Sequence, residues 1–399
     1  MSSYDSSPVP GRPRGRRLLT WLFLAILVGL AMLVFTNYHN MGNMVRVVGL
    51  VRSEFLFPVS SSQMMEGAMK GLVGSLDDPY SAYLDQETFS ALKEQIRGSF
   101  AGLGILVGVR EHRVAVVRAY KETPAYREGV KDGDLIIKID ELDTEDLDLD
   151  QAISLMRGSV GTKVTLTISR QGEPELLVFN LTREEITVPT VEARLIDDES
   201  IEYITISQFT ERTGAEMRKA LEQTLDDQAR GVVLDLRYNP GGELLAAVEV
   251  ARNFIPTGPI VFIENRAGKE QVFESYGETI NLPLVVLINE DSASASEILA
   301  GAVKDTGAGT LVGTRSYGKG IVQTVFNLRD GAGLKLTTAH YLTPDRNNIH
   351  EKGIEPDLVI EQDPNNPTQD IQMEKALEVM RETLAGDNPP RQAEAGSTR

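Results

Sequence analysis

The chain of 399 residues contains no cysteine, one tryptophan and only four histidines. The lack of cysteine excludes a cysteine nucleophile, thiolate metal ligation and disulfide bonds, and it is compatible with an exported protein without proving export. A basic excess is also absent, because the formal net charge is −18. So acidic a chain repels phosphate groups, which makes it a poor nucleic-acid binder.

The N-terminus breaks this acidic pattern. Four arginines precede an uncharged run at residues 18–35, namely Arg12, Arg14, Arg16 and Arg17. The run is about long enough to span a bilayer, and arginines before it predict a cytoplasmic start and an exported remainder. A cleaved signal peptide and a buried helix are the alternatives, but no clear small-x-small cleavage site follows. We therefore expect a basic tail at 1–17 and a signal anchor at 18–36.

The composition changes several times along the rest of the chain. Residues 37–97 have a helical pattern interrupted by the turn-rich stretch LDDPYSAYLD, and the helix near 41–56 fits either a dimer contact or internal packing. Residues 98–184 contain short β-rich runs, which predict a small barrel-like module. Strands alternate with helices over 185–385, which predicts an α/β domain with much parallel pairing. Residues 386–399 are polar and rich in small residues, so we expect a disordered tail.

The stretch GTRSYGKGIVQ admits two opposed interpretations. Gly313 to Lys319 fits the opening of a phosphate-binding loop, which needs Ser or Thr after the lysine and then a helix. Gly320 follows instead, and the next residues, IVQTVF, favour a strand. The acidic strand end VVLDLR also precedes the loop rather than following it. These mismatches argue against a phosphate site and leave a lysine that could act on a nucleophile.

The stretch NEDSASASEILAGAVKD offers such a nucleophile. Ser294-x-x-Glu297 is a capping box, so Ser294 could simply cap a helix. The same position is chemically useful, because N–H groups at a helix start can stabilise an oxyanion. A serine needs a base, and His340 is the only histidine within a plausible core strand, where a lone histidine is usually structural.

Lys319 is the other candidate base, provided that burial populates its neutral amine. Its glycine neighbours permit close backbone approach, and Ile321 and Val322 could desolvate it. A surface lysine in an ordinary turn is the alternative. The LRYNPGG stretch adds a strand-to-helix turn whose glycines, Gly241 and Gly242, could aim N–H groups at an oxyanion, although an ordinary turn fits equally well.

Together these stretches resemble the carboxyl-terminal processing (tail-specific) peptidase family over about residues 45–360. The order and spacing of LDLRYNPGG, NEDSASASEILAGAVKD and VGTRSYGKGIVQ carry the resemblance. It implies roles for several residues: Ser294 as nucleophile, Lys319 as general base, Gln323 as support for the lysine, and the N–H of Ala295 with one from Gly241 or Gly242 as oxyanion hole. Asp305 matches a recurrent acid of the family, with a structural role.

The β-rich module is similar to a PDZ domain. The residues Gly102, Leu103, Gly104 and Ile105 match its carboxylate-binding loop, and Gly133-Asp134-x-Ile136 matches its core. In such a loop, successive N–H groups hold the C-terminal carboxylate of a substrate tail that adds as a strand. Arg157 resembles a regulatory contact between the PDZ domain and the protease. Tyr317, where the family often has Phe, and the segment around His340 and 346–348 depart from the family pattern.

Together with the anchor predicted at 18–36, the resemblance implies a multidomain α+β and α/β chain with an N-terminal membrane anchor, a helical segment, a PDZ domain and a crotonase- or Clp-protease-like core. It implies a single-pass membrane serine endopeptidase without metal or organic cofactor, whose extracytoplasmic part, in the periplasm or at the bacterial cell surface, takes protein substrates by their C-termini. A non-catalytic PDZ scaffold is the main alternative. A crotonase-type enzyme acting on small thioesters is a third, which the anchor and the PDZ loop disfavour.

Overall fold

A computed structural model describes residues 38–110, 112–196, 200–363, 366 and 369–386, with isolated positions at 21, 23–25 and 28. The chain divides into two compact units, Met1–Asp77 and Asp78–Arg399. The first unit contains helix α1 (Tyr38–Glu54) and helix α2 (Ser61–Gly74). Helix α2 begins with a capping box, in which Ser60 and Gln63 each accept the other's backbone N–H through their side chains.

The signal anchor predicted at 18–36 lies outside the described residues except for five scattered positions. The basic tail at 1–17 also lies outside them, as does the tail predicted at 386–399 apart from Gly386. Within the described part of the chain, no helix combines the length and the apolar character that crossing a membrane requires.

The second unit begins with strand β1 (Ala82–Leu84) and helix α3 (Gln86–Arg97). An antiparallel module follows, with the elements β2 (Ser99–Gly102), β3 (Ile105–Arg110), β4 (Arg113–Ala119), α4 (Pro124–Arg127), β5 (Leu135–Ile139), β6 (Leu142–Asp143), α5 (Leu149–Met156), β7 (Lys163–Ser169), β8 (Leu177–Thr182) and β9 (Glu184–Thr187). Five of these strands form the sheet β3-β4-β5-β7-β8, on which β6 pairs with β5, while β2 pairs with β9. The module has its own core, which includes Val116, Ile136 and Leu166.

The remaining elements form the larger domain. They are β10 (Val191–Ile196), β11 (Ile201–Ile206), α6 (Thr213–Asp226), β12 (Gly231–Asp235), α7 (Leu244–Arg252), β13 (Gly258–Asn265), β14 (Glu270–Ser275), β15 (Leu284–Ile288), α8 (Ala295–Thr306), β16 (Thr310–Gly313), β17 (Ile321–Asn327), β18 (Gly333–Leu342), β19 (Leu358–Val359) and α9 (Ile371–Ala385).

One sheet has the order β10-β11-β12-β15-β16-β19 and is parallel from β11 onward. Every residue of β12 and β15 is buried, as expected for strands covered on both faces. Helices α6, α7 and α8 contribute to the core on one face, and α9 packs on the other. This confirms the predicted α/β layering.

The alternation of strands and helices did not reveal a second sheet. Strands β1, β18, β13 and β14 pair in that order, β17 adds to β18, and all of these pairs are antiparallel. The stretch after Lys319 is therefore a strand, β17, as its β-branched residues indicated. The domain limits 98–184 and 185–385 stay predictions.

Candidate active site

Ser294 differs from its neighbouring serines in what its hydroxyl can do. Ser292 Oγ donates to the carbonyl of Leu236 at 2.8 Å, and Ser296 Oγ donates to the carbonyl of Asn239 at 3.0 Å. Both of these serines are fully buried, whereas Ser294 is half-buried and its hydroxyl faces a cavity. Its backbone has φ 55° and ψ −112° at the start of α8, a strained conformation for a residue with a side chain.

The turn before α7 faces this serine. Gly241 and Gly242 have φ values of 94° and 141°, which side chains rarely tolerate. A Cβ on Gly241 would lie 2.8 Å from both Ala295 N and Ser294 Cβ, and one on Gly242 would lie 2.0 Å from the carbonyl oxygen of Phe209. Gly241 therefore lets the turn approach the start of α8, and Gly242 lets it approach the backbone of Phe209, more closely than a residue with a side chain would allow.

The two glycine N–H groups have different partners. The N–H of Gly241 donates to Asn239 Oδ1 at 2.9 Å, while the Asn239 amide donates to the carbonyl of Ile206 at 2.8 Å. Within the described part of the chain, the N–H groups of Gly242 and Ala295 donate to no protein acceptor. Both residues line the cavity beside Ser294. The arrangement thus offers two unengaged donors at one place, of the kind that stabilises an oxyanion.

Lys319 lies just before β17, with its amine over an aromatic ring. Its Nζ is 4.8 Å from the ring centroid of Tyr80. Burial lowers the pKa of the Lys319 amine, and the positive charge of Lys335 lowers it further, while Glu297 and Asp78 act in the opposite direction. A lysine whose pKa is lowered in this way can populate the neutral amine that a general base requires.

The buried carboxylate of Glu297 connects the serine segment to the lysine segment. The side chain is completely buried, and its two oxygens accept hydrogen bonds from the N–H of Ser294 (2.8 Å), the N–H of Gly318 (2.7 Å), the N–H of Lys319 (2.9 Å) and the Oγ of Ser316 (2.7 Å). Two loops 20 or more residues apart are therefore fixed by one side chain. Half of the predicted capping box exists, but its glutamate does more than cap.

The cavity at Ser294 has a volume of about 250 Å³. Ile96 of α3, Leu244 of α7 and Ile298 of α8 contribute apolar walls, while Gln323 of β17 provides a polar group. The Gln323 amide donates weakly to Thr337 Oγ1, at 3.5 Å. The structure thus places Gln323 in the same cavity lining as Ser294, and among the described residues its amide has one weak partner.

Asp305 lies away from this cavity. It is near the end of α8, where its carboxylate accepts the N–H of Asp345 at 3.0 Å. Its contact is therefore with the turn after β18, in keeping with the structural role that the resemblance implies. No cluster of three or more His, Asp or Glu side chains able to hold a metal ion occurs within the described ranges.

No hydrogen bond joins Ser294 Oγ to Lys319 Nζ within the described part of the chain. The backbones of the two residues are held by Glu297, yet the amine rests on Tyr80 instead of on the serine. The two predicted catalytic residues are thus brought into one region without forming the contact through which a proton would pass.

A second groove lies on the antiparallel module, beside β3. It is lined by residues 102–107 and by Tyr120, Ile153 and Met156. The N–H groups of Leu103 and Gly104 donate to no protein acceptor in the part of the chain that is described, while their carbonyls accept N–H groups from Ala125 and Tyr120. The loop is therefore fixed through its carbonyls while these two N–H groups stay available to a ligand, as a carboxylate-binding loop requires.

Arg157 lies between this groove and a larger cavity of about 540 Å³. Its guanidinium lies 5.2 Å from the ring centroid of Phe100, and both residues line the groove and the cavity. The cavity is also lined by Leu84 of β1, by Lys335 of β18 and by residues of α3. Arg157 thus occupies the junction between the antiparallel module and the larger domain, where the sequence prediction put a regulatory contact.

Sequence reasoning missed the roles of three residues: Glu297 was interpreted only as a cap, Asn239 as part of a turn, and Tyr80 as part of a turn-rich stretch. The spacing of Glu297 from Ser294 is fully explained by capping, so the local sequence carried no signal of its second role. Nothing in the local sequence indicated the contact between Tyr80 and Lys319, which joins segments far apart in the chain.

Comparisons with known proteins agree with this geometry. Family models match the chain for Peptidase family S41 at residues 200–360, for a PDZ domain at 116–170 and for the activating protease CtpB N-terminal domain at 34–88. The chain is 36% identical over 334 residues to the carboxy-terminal processing protease CtpB of Bacillus subtilis, a match that covers 83% of this chain and 70% of that relative. It is 37% identical to a carboxyl-terminal-processing protease of Synechocystis, a match that covers 81% of this chain and 78% of the relative.

Among solved structures, the photosystem II D1 C-terminal processing protease is 28% identical with a TM-score of 0.50, and the match covers 84% of this chain and 90% of that one. A putative S41 protease from Bacteroides fragilis, 17% identical with a TM-score of 0.52 and matched over 85% of this chain and 97% of that one, shares the fold. These findings confirm the resemblance that the sequence motifs indicated. The chain is a serine peptidase that belongs to peptidase family S41, among the carboxy-terminal processing proteases with a PDZ domain.

Proposed function

We propose that the chain is an endopeptidase with a Ser294–Lys319 dyad that cleaves exported proteins whose C-termini its PDZ domain captures. One observation carries the proposal: Ser294 lines one cavity with Gly242 and Ala295, whose N–H groups have no acceptor within the described residues, while the desolvated Lys319 is held through its N–H to the glutamate that also binds the N–H of Ser294. This is the set of groups that acyl transfer needs, namely a nucleophile, a base and an oxyanion site.

The reaction follows from these positions. Neutral Lys319 accepts the proton of Ser294 Oγ as the oxygen attacks the scissile carbonyl carbon. The carbonyl oxygen becomes an oxyanion that accepts hydrogen bonds from Gly242 and Ala295. Lys319 then gives its proton to the leaving amine, and an acyl-enzyme remains. Water attacks that ester with Lys319 again as base, which releases the acid product and restores the serine.

Between the two candidate glycines, Gly242 is the better oxyanion donor. The N–H of Gly241 is already used by Asn239 Oδ1, so a substrate oxygen would have to displace an existing hydrogen bond. The N–H of Gly242 has no such partner and lines the cavity. Gln323 has the role of orienting the amine when Lys319 approaches Ser294, because Gln323 lines the cavity together with Ser294.

Substrate selection is proposed to occur at two places. Ile96, Leu244 and Ile298 suit an apolar side chain next to the scissile bond. The PDZ groove, with Leu103, Ile105 and Met156 in its wall, suits a substrate tail with an apolar last residue whose carboxylate accepts the spare N–H groups. Arg157 lies at the junction of groove and cavity, and we propose that it transmits the binding of a substrate tail in the groove to the larger domain.

We also propose that residues 18–36 anchor the enzyme to the bacterial cell membrane, with the catalytic part in the periplasm or at the cell surface. The arginines before an uncharged run of this length support the proposal. Exposed apolar side chains of α1, among them Val45 and Val47, support a homodimer contact on this segment. Membrane fractionation, with and without residues 1–36, tests the anchor.

The dyad is tested with an unfolded protein substrate that ends in apolar residues. We expect Ser294→Ala and Lys319→Ala each to reduce cleavage at least a thousandfold, while Lys269→Ala, which removes an exposed lysine of the β13–β14 turn, retains parent activity. A substrate with an acidic C-terminus should be cleaved more slowly by the parent enzyme. Undiminished turnover by either dyad variant would refute the mechanism, and an inactive parent that still binds the tail would favour the PDZ scaffold.

A further inference from the structure

Tyr80 stands in the DDPYSAYL turn, where several hydrogen bonds hold it in place. The Asp78 carboxylate accepts the N–H of Tyr80 at 3.0 Å and the hydroxyl of Ser81 at 2.5 Å. Ser81 Oγ in turn accepts the N–H of Thr337 on β18, at 3.0 Å. Strand β1 then pairs with β18, with Ala82 opposite Lys335. The turn is therefore fixed to the antiparallel sheet directly after Tyr80, while Asp78 holds the turn together before it.

The ring lies against the amine of Lys319, with Nζ 4.8 Å from its centroid. A cation over an aromatic face is attracted by the electron density of the ring, whereas a neutral amine is attracted much less. The ring thus favours the protonated lysine over the neutral one. It also holds Nζ at a place where no hydrogen bond to Ser294 Oγ forms, so the amine must leave the ring before it can accept the serine proton.

Tyr317 completes this arrangement from the lysine's own loop. Burial raises the pKa of the Tyr80 hydroxyl, and a hydrogen bond with the Tyr317 hydroxyl raises it further. Tyr317 is itself 58% exposed. Its N–H donates to the carbonyl of Ser292 at 3.0 Å, which ties it to the serine segment. A phenylalanine at 317 would keep the ring but lose the contact between hydroxyl groups.

We propose that Tyr80 is a positioning residue that holds protonated Lys319 away from Ser294 and so limits activity at low pH. The inference rests on the proposed function, in which Lys319 is the general base. Tyr80 acts through the lysine and not on the substrate. Its effect is greatest where Lys319 is mostly protonated, and it disappears where the amine is neutral.

The other charged groups that face Lys319 do not account for this effect. The carboxylates of Asp78 and Glu297 favour the protonated amine, and Lys335 opposes it. None of the three is hydrogen-bonded to Nζ, and two of them, Asp78 and Glu297, are already engaged by backbone or hydroxyl donors. The ring of Tyr80 is the group on which the amine directly rests.

The test is the pH dependence of kcat/KM of the full chain, together with the rate of Ser294 labelling by a fluorophosphonate over the same pH range. Tyr80→Leu removes the ring but keeps an apolar side chain of similar bulk. Tyr80→Phe keeps the ring and removes the hydroxyl. Tyr80→4-cyanophenylalanine keeps the size and shape of the ring while withdrawing its electron density. This variant tests the contact between ring and amine even if Tyr80→Leu does not fold.

A matched control exists elsewhere in the molecule. Tyr276 also lies under a cation, with Arg252 at 5.2 Å from its ring centroid, and it is 71% exposed. It does not line the Ser294 cavity. Tyr276→Leu therefore removes a comparable aromatic pair without touching the lysine.

On the acid limb, where Lys319 is mostly protonated, we expect Tyr80→Leu and the cyano variant to raise kcat/KM and the labelling rate about twofold to fivefold. The free energy by which an aromatic face stabilises a partly exposed cation corresponds to a factor of this size. Their profiles should meet that of the parent at high pH, and Tyr80→Phe should keep the parent's acid limb. Equal rates for parent, Tyr80→Leu and the cyano variant at every pH, or an equal loss at every pH, would overturn the proposal. An active Lys319→Ala variant would instead overturn the dyad itself.

Discussion

Among the described residues of the larger domain, two glutamates are completely buried, and their surroundings differ sharply. Glu297, on α8, accepts four hydrogen bonds of 2.7 to 2.9 Å from the serine and lysine segments. Glu202, on β11, has no hydrogen-bond partner on either oxygen within the described residues. The two buried glutamates therefore have different roles. Glu297 holds the serine and lysine segments together, whereas Glu202 is desolvated without a hydrogen bond to compensate among the described residues.

The difference shows in their ionisation and in what each side chain supports. Burial raises the pKa of the Glu202 carboxyl, and the negative charge of Asp227 raises it further, so folding favours the protonated acid. On neighbouring strands, Glu202 lies opposite Leu195 and Val232, which offer no polar side chain. Burial of a titratable group is thus a poor guide to function, whereas the number and origin of its hydrogen bonds are a good one.

The largest effect is expected for Glu297→Leu. It leaves four buried donors without an acceptor, and loss of a buried charged partner costs about 3–5 kcal/mol of the free energy of unfolding. Peptidase activity should fall by at least a thousandfold, because the Ser294 and Lys319 backbones lose their shared acceptor. Urea denaturation and substrate cleavage measure the two losses.

Glu297→Gln is the matched variant for that experiment, since it keeps the size of the side chain but replaces one acceptor oxygen with a donor. We expect an intermediate loss in both measurements. If Glu297→Leu folds as stably as the parent and cleaves substrate at the parent rate, Glu297 is not the organising group and the contrast with Glu202 fails.

A smaller effect of opposite sign is expected for Glu202→Leu. At pH 7 the variant should be more stable than the parent by about 1–3 kcal/mol, because an unsatisfied carboxyl is replaced by an apolar side chain in an apolar site. Activity should stay at the parent level, since Glu202 does not line the Ser294 cavity. Glu202→Gln, which stays polar and unsatisfied, should gain less.

The stability gain expected for Glu202→Leu depends on pH. The pKa of Glu202 is raised in the folded protein, so between the unfolded and folded pKa values the native state binds more protons than the unfolded state. The free energy of unfolding that this group contributes is therefore lost as pH rises above the unfolded pKa. The stability gain of Glu202→Leu should grow from pH 4 upward; a gain that shrinks with rising pH would contradict the assignment.

The smallest effect concerns Lys319. Like the two glutamates it is desolvated, and its backbone N–H, but not its amine, is hydrogen-bonded to Glu297. Lys335→Met removes a charge that lowers the pKa of Lys319, so the acid limb of activity should move to higher pH and the rate there should fall by about a few fold. Lys335→Arg keeps the charge and should keep the acid limb. Equal shifts in both variants would assign the effect to lost packing.

The sequence singles out Ser294 and Lys319 as nucleophile and base candidates, because both stand in long motifs with fixed spacing, and these two roles stay predictions. It could not choose between Gly241 and Gly242, since the choice depends on Asn239 Oδ1 occupying one of two adjacent N–H groups. It predicted parallel pairing from the alternation of strands and helices, but not the second sheet. In that sheet β1 pairs with β18, which lies about 250 residues later in the chain. The periodicity of a single strand does not identify so distant a partner.

The role of Glu297 was hidden for a related reason. Its three-residue spacing from Ser294 is a complete local explanation, so nothing in the motif called for another partner. The contacts that matter, with Gly318 and Lys319, cross from α8 to the start of β17.

That single shared acceptor has a consequence for the newly synthesised chain. The serine segment is synthesised before the lysine segment, and Glu297 accepts backbone N–H groups from both. We therefore expect the catalytic pair to be competent only in a chain whose α8 and β17 segments have both packed around this carboxylate.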